Sequence, residues 1–214
     1  LTSISGNAGI LLTNDEILTK EKKQSLYTDI YDDSLWLINL VENLLSVTRI
    51  ENGTMKLNIS PQIIEDVIYE ALDHVNRKKI EHRIDVEIDD EFLMGDMDVR
   101  LIVQVIINIV DNAIKYTPTG STITISTTKK DKQVIVDIAD DGPGIPDQAK
   151  ERIFDMFYIA PNEVVDSHRS LGLGLALCKS IINAHGGEIS VLDNKPKGTV
   201  FRFTLPAEEV NLYE

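Results

Sequence analysis

Three polar side chains interrupt an otherwise apolar stretch: Asn108, Asn112 and Lys115 stand among Ile102, Val103, Val105, Ile106, Ile107, Ile109 and Val110. Steps of four and then three residues put them on one face of a helix. A helix this apolar is expected to be buried, and buried amides and an ammonium need partners. One answer is a Mg2+ ion on the amide oxygens that keeps waters and binds phosphate oxygens, with Lys115 as a point charge for phosphate. The other is an internal hydrogen-bond network that caps loops. Further on, Asp140-Asp141-Gly142-Pro143-Gly144-Ile145-Pro146 follows an alternating apolar run that ends near Ala139. A carboxylate at a strand end, followed by a sharply turning glycine loop, can accept from an exocyclic amine such as that of adenine; a plain turn uses the same residue types. A third group, Leu171-Gly172-Leu173-Gly174-Leu175-Ala176, opens a helical pattern. Free N–H groups and the positive end of the helix dipole suit phosphate there, while small residues equally permit close packing. The run matches neither GxGxxG nor GxxxxGK[ST]. Thr199, first in the strand pattern after Gly198, can bring a hydroxyl to the same cavity.

The elements that must position these groups are legible in outline. Leu1, Ile4, Ala8, Leu11 and Leu12 recur at helical spacing, and the polar residues Thr13 to Asp15 break the pattern. A long helical pattern from about Thr19 to Asn52 carries Leu26, Ile30, Leu37, Leu40, Leu44 and Val47 and stops at Gly53. So narrow a stripe suits a helical hairpin that hides its seam against another copy, or an amphipathic helix packed on its own domain. Met55, Leu57 and Ile59 alternate ahead of Pro61, as in a linker or edge strand. Beyond them the pattern predicts helices over 62–76, 98–116 and 171–185, with strands over 83–88, 121–128, 133–139, 188–192 and 199–205. Lys129 to Lys132 is the expected hairpin turn, and the aperiodic stretch from Tyr158 to Ser170 has the length of a lid. This order predicts an α+β chain: a helical hairpin, then a mixed sheet under a helix layer rather than a doubly wound parallel sheet.

Composition narrows the chemistry. The 214 residues carry 21 Lys and Arg against 35 Asp and Glu, a formal charge of -14, which argues against nucleic acid or an anionic membrane as a general partner. A lone cysteine, Cys178, excludes an internal disulfide and a cysteine-cluster zinc site, and fits a reducing, cytoplasmic setting. No apolar run approaches the roughly 20 residues of a membrane span. Because the chain opens on Leu1 and enters an apolar segment at once, a larger protein is expected around it.

In their order along the chain, these motifs resemble the catalytic and ATP-binding domain of sensor histidine kinases, within the wider GHKL superfamily. The asparagine box is Asn108-Ile109-Val110-Asp111-Asn112-Ala113-Ile114-Lys115-Tyr116, and the first glycine box Asp141-Gly142-Pro143-Gly144-Ile145. The phenylalanine box is Phe154-Asp155-Met156-Phe157, and the second glycine box Gly172-Leu173-Gly174-Leu175. The resemblance implies a Bergerat-type α/β sandwich over 58–214 and a truncated dimerisation and phosphotransfer hairpin over 1–57. It implies ATP and Mg2+ as cofactors, with Asn112 as the main metal ligand and Asn108 as a second metal or phosphate contact. Lys115 and Tyr116 would lie near phosphate or ribose, and Asp141 would receive the adenine amine. Gly144 would let the base approach, Gly172 and Gly174 would cradle phosphates as the lid closes, Thr199 would lie beneath the adenine near Asp141, and Gly142, Ile145, Phe157, Leu173 and Leu175 would also belong to the ATP site. Ser170 stands where the family usually has a glycine, a departure that bears on the lid.

The resemblance further implies phosphoryl transfer from ATP to a histidine and onward to an aspartate of a response regulator, within a homodimer and without nucleic acid. In the family the accepting histidine precedes a segment like Leu1-Thr2-Ser3-Ile4, so it is expected upstream of Leu1; none of His74, His82, His168 and His185 has its context. The fragment is therefore expected to bind nucleotide without autophosphorylating, as the cytosolic portion of a membrane-attached sensor. Thr2-Ser3-Ile4-Ser5-Gly6-Asn7-Ala8 also resembles the Kdp-type potassium sensor kinases. Two alternatives stand beside this reading: a GHKL ATPase of the chaperone, topoisomerase or mismatch-repair type, against which the hairpin argues, and a nucleotide-deficient dimerisation module.

Overall fold

The computed structural model describes residues 1–75, 81–159 and 172–207. The chain forms two compact units, Leu1–Leu45 and Ser46–Glu214. In the first, α1 (Thr2–Asn14) leads through a short 3-10 turn (Asp15–Ile17) into α2 (Lys20–Glu51), which continues into the second unit. Leu11 and Leu26 are buried, whereas Tyr27, Tyr31, Leu35, Ile38, Val41 and Leu45 leave an apolar row exposed along α2. Gly53 ends this helix at φ +62° as Thr54 N–H turns back to the Arg49 carbonyl. Among the described residues no helix is long and apolar enough to cross a membrane.

In the second unit, β1 (Ser60–Ile63) and α3 (Ile64–His74) precede β2 (Arg83–Ile88), β3 (Met94–Met97) and α4 (Val99–Tyr116). After β4 (Thr122–Lys130), β5 (Gln133–Asp140) and a single turn, α5 (Asp147–Lys150), come α6 (Gly174–Ala184), β6 (Ile189–Asp193) and β7 (Thr199–Pro206). The strands make a five-stranded sheet in the order β2-β4-β5-β7-β6 and a separate β1-β3 pair. Only β2 and β4 run parallel, the direction that needs a crossover, and α4 lies between them in the chain. The mixed sheet under helices agrees with the expected α+β architecture.

Alternation along the strands decides the layers. Ile123 and Ile125 on β4, Val134, Val136 and Ile138 on β5, and Phe201, Phe203 and Leu205 on β7 turn one face of the sheet into the core. Ile64, Val67, Ile68 and Ala71 of α3, Ile102, Val105, Ile106 and Ile109 of α4, and Leu177, Ile181 and Ile182 of α6 belong to that core. Val47, near the end of α2, is fully buried in the same cluster.

Three expectations shift. Of the linker or edge strand expected around 54–59, the segment takes the linker form; β1 begins at Ser60 and contains Pro61, and its unexpected partner β3 is a four-residue strand with Gly95 and Asp96 inside it, too short for an alternation signal. Second, α4 is not buried all round: Arg100 and Asp111 are exposed and Gln104, Asn108, Asn112 and Lys115 half-buried, so its polar row borders the core rather than lying inside it. Third, α6 begins at Gly174, leaving Gly172 outside the helix at φ +63°. Of the lid expected over Tyr158 to Ser170, residues 160–170, with His168, Arg169 and Ser170, lie outside the described residues, as does Leu171.

Candidate functional site

The end of α4 carries the first part of the site. Thr117 is extended, as a residue before proline prefers, so the helix stops at Tyr116. Asn108 accepts Gln104 Nε2–H on Oδ1 at 3.2 Å, while its Nδ2 is buried without a hydrogen-bond partner among the described residues. The first turn of α6 faces this amide: a Cβ on Gly174 would lie 3.8 Å from Asn108 Cγ. The first N–H groups of α6 have no carbonyl one turn back within the helix. An orphaned donor and a bare helix start therefore meet on one wall, a donor set that suits phosphate oxygens. Lys115 Nζ lies 5.0 Å from the centroid of the Tyr116 ring, a cation-π contact at the end of the same helix.

Beneath this wall Cys178 is fully buried, its Sγ donating to the Val105 carbonyl at 3.8 Å. Burial pushes the thiol up to about 12. It is inert packing between α4 and α6.

At the end of β5 the two adjacent carboxylates part. Asp141, expected to face the ligand, is exposed and accepts the Thr122 N–H at 3.1 Å. The inward carboxylate is that of Asp140, which accepts Gly142 N–H at 2.9 Å and Thr199 N–H at 3.2 Å on a single oxygen, Oδ1. Burial raises its pKa above the usual carboxylate value, the Gly142 and Thr199 amides opposing the rise and the charge of Asp141 adding to it. The distinction was available in the sequence: the period that buries Val134, Val136 and Ile138 turns Asp140 inward and Asp141 outward.

Close backbone packing fixes this corner. Gly142 is buried with the Thr117 methyl against it, where a Cβ would come within 2.5 Å of Thr117 Cγ2. Gly198, at φ +121°, lies against the Asp140 carbonyl with no room for a side chain, and Asn194 Nδ2–H donates to that carbonyl at 2.8 Å. Gly144, at φ +81°, faces the Gly198 carbonyl, and Ile145 packs on the core. Thr199 is buried beside Asp140 rather than Asp141.

The remaining motif residues form the far rim. Phe157, exposed and at φ +65°, donates its N–H to the Gly172 carbonyl at 3.0 Å, and Gly172 packs on the Tyr158 backbone where a Cβ would collide. Leu173 is buried and accepts the Leu177 N–H at 2.9 Å, and Leu175 packs on the core. Phe154 meets Phe201 edge-on at 6.4 Å, a core contact. The structure thus gathers Asn108, Gly174 and the α6 start on one side and Asp140, Gly142, Gly144 and Thr199 on the other, with Asn112, Lys115 and Tyr116 along the last turns of α4. Sequence reading missed Asp140, Thr117, Asn194 and Gly198; the last three act through contacts distant along the chain.

Comparison with known proteins agrees with this arrangement. Residues 97–209 match the family model described as histidine kinase-, DNA gyrase B-, and HSP90-like ATPase. The sensor protein KdpD of Clostridium acetobutylicum is 41% identical over 208 residues, covering 97% of this chain and 23% of that protein. The adaptive-response sensory kinase SasA of a Synechocystis species is 38% identical over 172 residues, covering 78% of this chain and 44% of the relative. The chain thus spans less than half the length of either curated relative. Among solved structures, histidine kinase ThkA in complex with the response regulator protein TrrA matches with a TM-score of 0.72 at 27% identity, over 96% of this chain and 58% of that one. With an asparagine row on α4, a glycine loop after β5 and a glycine start to α6 under a matching family model, the chain belongs to the histidine kinase-, DNA gyrase B- and HSP90-like ATPase family, and its named relatives within it are sensor kinases.

Proposed function

We propose that the chain is the cytoplasmic catalytic part of a membrane-attached sensor histidine kinase, in which residues 58–214 bind Mg-ATP and residues 1–57 belong to the dimerising and phosphotransfer hairpin. The γ-phosphoryl passes to a histidine and then to an aspartate of a response regulator. The accepting histidine is not among the four here; His185 is buried in a structural role, with Nδ1 on the Ile181 carbonyl at 2.8 Å and Nε2 accepting the Asp98 N–H at 3.0 Å. The exposed apolar row of α2 supports a second copy as its partner.

The observation that carries the reading is the Asp140 clasp. Its Oδ1 is occupied by two backbone amides, which orients the carboxylate and leaves acceptor capacity for an exocyclic amine. In this reading the base-facing role passes from Asp141 to Asp140, with Thr199 beside it. Gly142, Gly144 and Ile145 border the base. Asn112 offers a hard amide oxygen suited to Mg2+, and Asn108 turns its orphaned Nδ2 to phosphate. Lys115 and Tyr116 lie toward phosphate and ribose, and Gly172, Leu173, Gly174 and Leu175 bring the α6 start to the phosphates, with Phe157 on the rim. Mg2+, when bound, neutralises charge on the phosphates; the protein's own share is orientation and fixed dipoles.

Calorimetric titration with a non-hydrolysable ATP analogue, with and without Mg2+, tests this. Saturable binding that weakens without Mg2+, weakens by at least about tenfold in Asp140→Asn and persists in Asp141→Ala is expected. A parent chain that binds no nucleotide would overturn the reading.

A further inference from the structure

One imidazole outside every motif braces the site. His82 Nε2 lies 2.9 Å from Thr117 Oγ1, and the Thr117 hydroxyl gives its only proton to the Ala113 carbonyl at 2.7 Å. The threonine oxygen must therefore accept from His82, which fixes the proton on Nε2. His82 Nδ1 is buried and has no hydrogen-bond partner among the described residues, where the Thr117 bond orients the ring's polar atoms. The backbone on either side of His82 is pinned, with Glu81 accepting Gly120 N–H at 2.8 Å and Arg83 N–H donating to Ser121 at 3.0 Å.

Thr117 is where this order is passed on. Its hydroxyl holds the carbonyl of Ala113, next to Asn112, and its methyl lies against Gly142, whose N–H closes the Asp140 clasp at 2.9 Å. We propose that His82 is a positioning residue for the nucleotide base: through Thr117 it holds the glycine loop, and with it the Asp140 carboxylate, in register with the asparagine row. The inference rests on the nucleotide-binding reading above.

Two variants of the whole chain test it. His82→Ala removes the donor, and Thr117→Val removes the hydroxyl while keeping a methyl against Gly142. Each should weaken a non-hydrolysable ATP analogue about fivefold, the worth of one neutral hydrogen bond. Each should also narrow the preference for that analogue over its GTP counterpart, which uniform loosening would leave unchanged. Without nucleotide, amide exchange at Gly142 should quicken about fivefold while the β5 amides keep the parent's rate. A parent chain that binds neither analogue overturns the nucleotide reading and this inference with it. If the parent binds, but affinity and Gly142 exchange ignore both variants, or exchange quickens alike across β5, this inference alone falls.

Discussion

The Asp140 carboxylate takes the N–H of Thr199 at 3.2 Å just past Ala139 and Val200, the last residues paired between β5 and β7. A side chain thus continues the ladder where the two strands part, and the same oxygen holds Gly142. Asparagine at this position keeps an acceptor for both amides yet presents N–H rather than oxygen to an incoming amine. Asp140→Asn should weaken the ATP analogue by between about tenfold and a hundredfold, the worth of a hydrogen bond to a charged group.

The same residue makes stability depend on pH. Burial raises the Asp140 pKa in the folded chain above the ordinary 3.8, so the folded state holds the proton more tightly than the unfolded one. Its ionisation removes stability as the pH rises from that value through the folded-state pKa. Asp140→Asn should therefore melt higher than the parent at pH 7, and the advantage should fade as the pH drops below 3.8; paired thermal melts at the two ends check both signs.

Asn108 should behave in a related way. Its Nδ2 is buried without a partner among the described residues, so Asn108→Leu removes that donor at the expense of the exchangeable Gln104 bond. Stability by urea titration should stay within about 1 kcal/mol of the parent, while Mg-dependent nucleotide binding falls.

Two glycines with positive φ should differ sharply. Gly198→Ala drives a methyl into the Asp140 carbonyl, and a loss of about 3 kcal/mol is expected. Gly120, at φ +87°, has open space around it, so Gly120→Ala should cost about 1–2 kcal/mol from backbone conformation alone. Urea midpoints distinguish them.

His185→Phe strands the buried N–H of Asp98 and parts the end of α6 from the start of α4. A loss of about 1–3 kcal/mol in chemical denaturation is expected.

Where groups are close in the chain, the sequence was readable. Steps of three and four put Asn108, Asn112 and Lys115 in one row, and strand alternation located β2, β4, β5 and β7. The Asp140-Asp141 pair shows the limit of motif reading: either residue suits a turn after a strand, and only the parity of β5 separates them. His82 and Thr117 are 35 residues apart, and Asn194 reaches Asp140 over 54, so no local pattern announces either contact. β3 escaped notice because its four residues include a glycine and an aspartate.

Val47 has a consequence for how this architecture can be cut and recombined. It sits on α2 yet is fully buried in the core of the unit that begins at Ser46. A graft spliced at the Gly53 turn would deprive the second unit of a residue it is built around. A chimera that exchanges the upstream helices should keep its seam within α2, ahead of Ser46, so that the recipient keeps its own Val47 and Ile50.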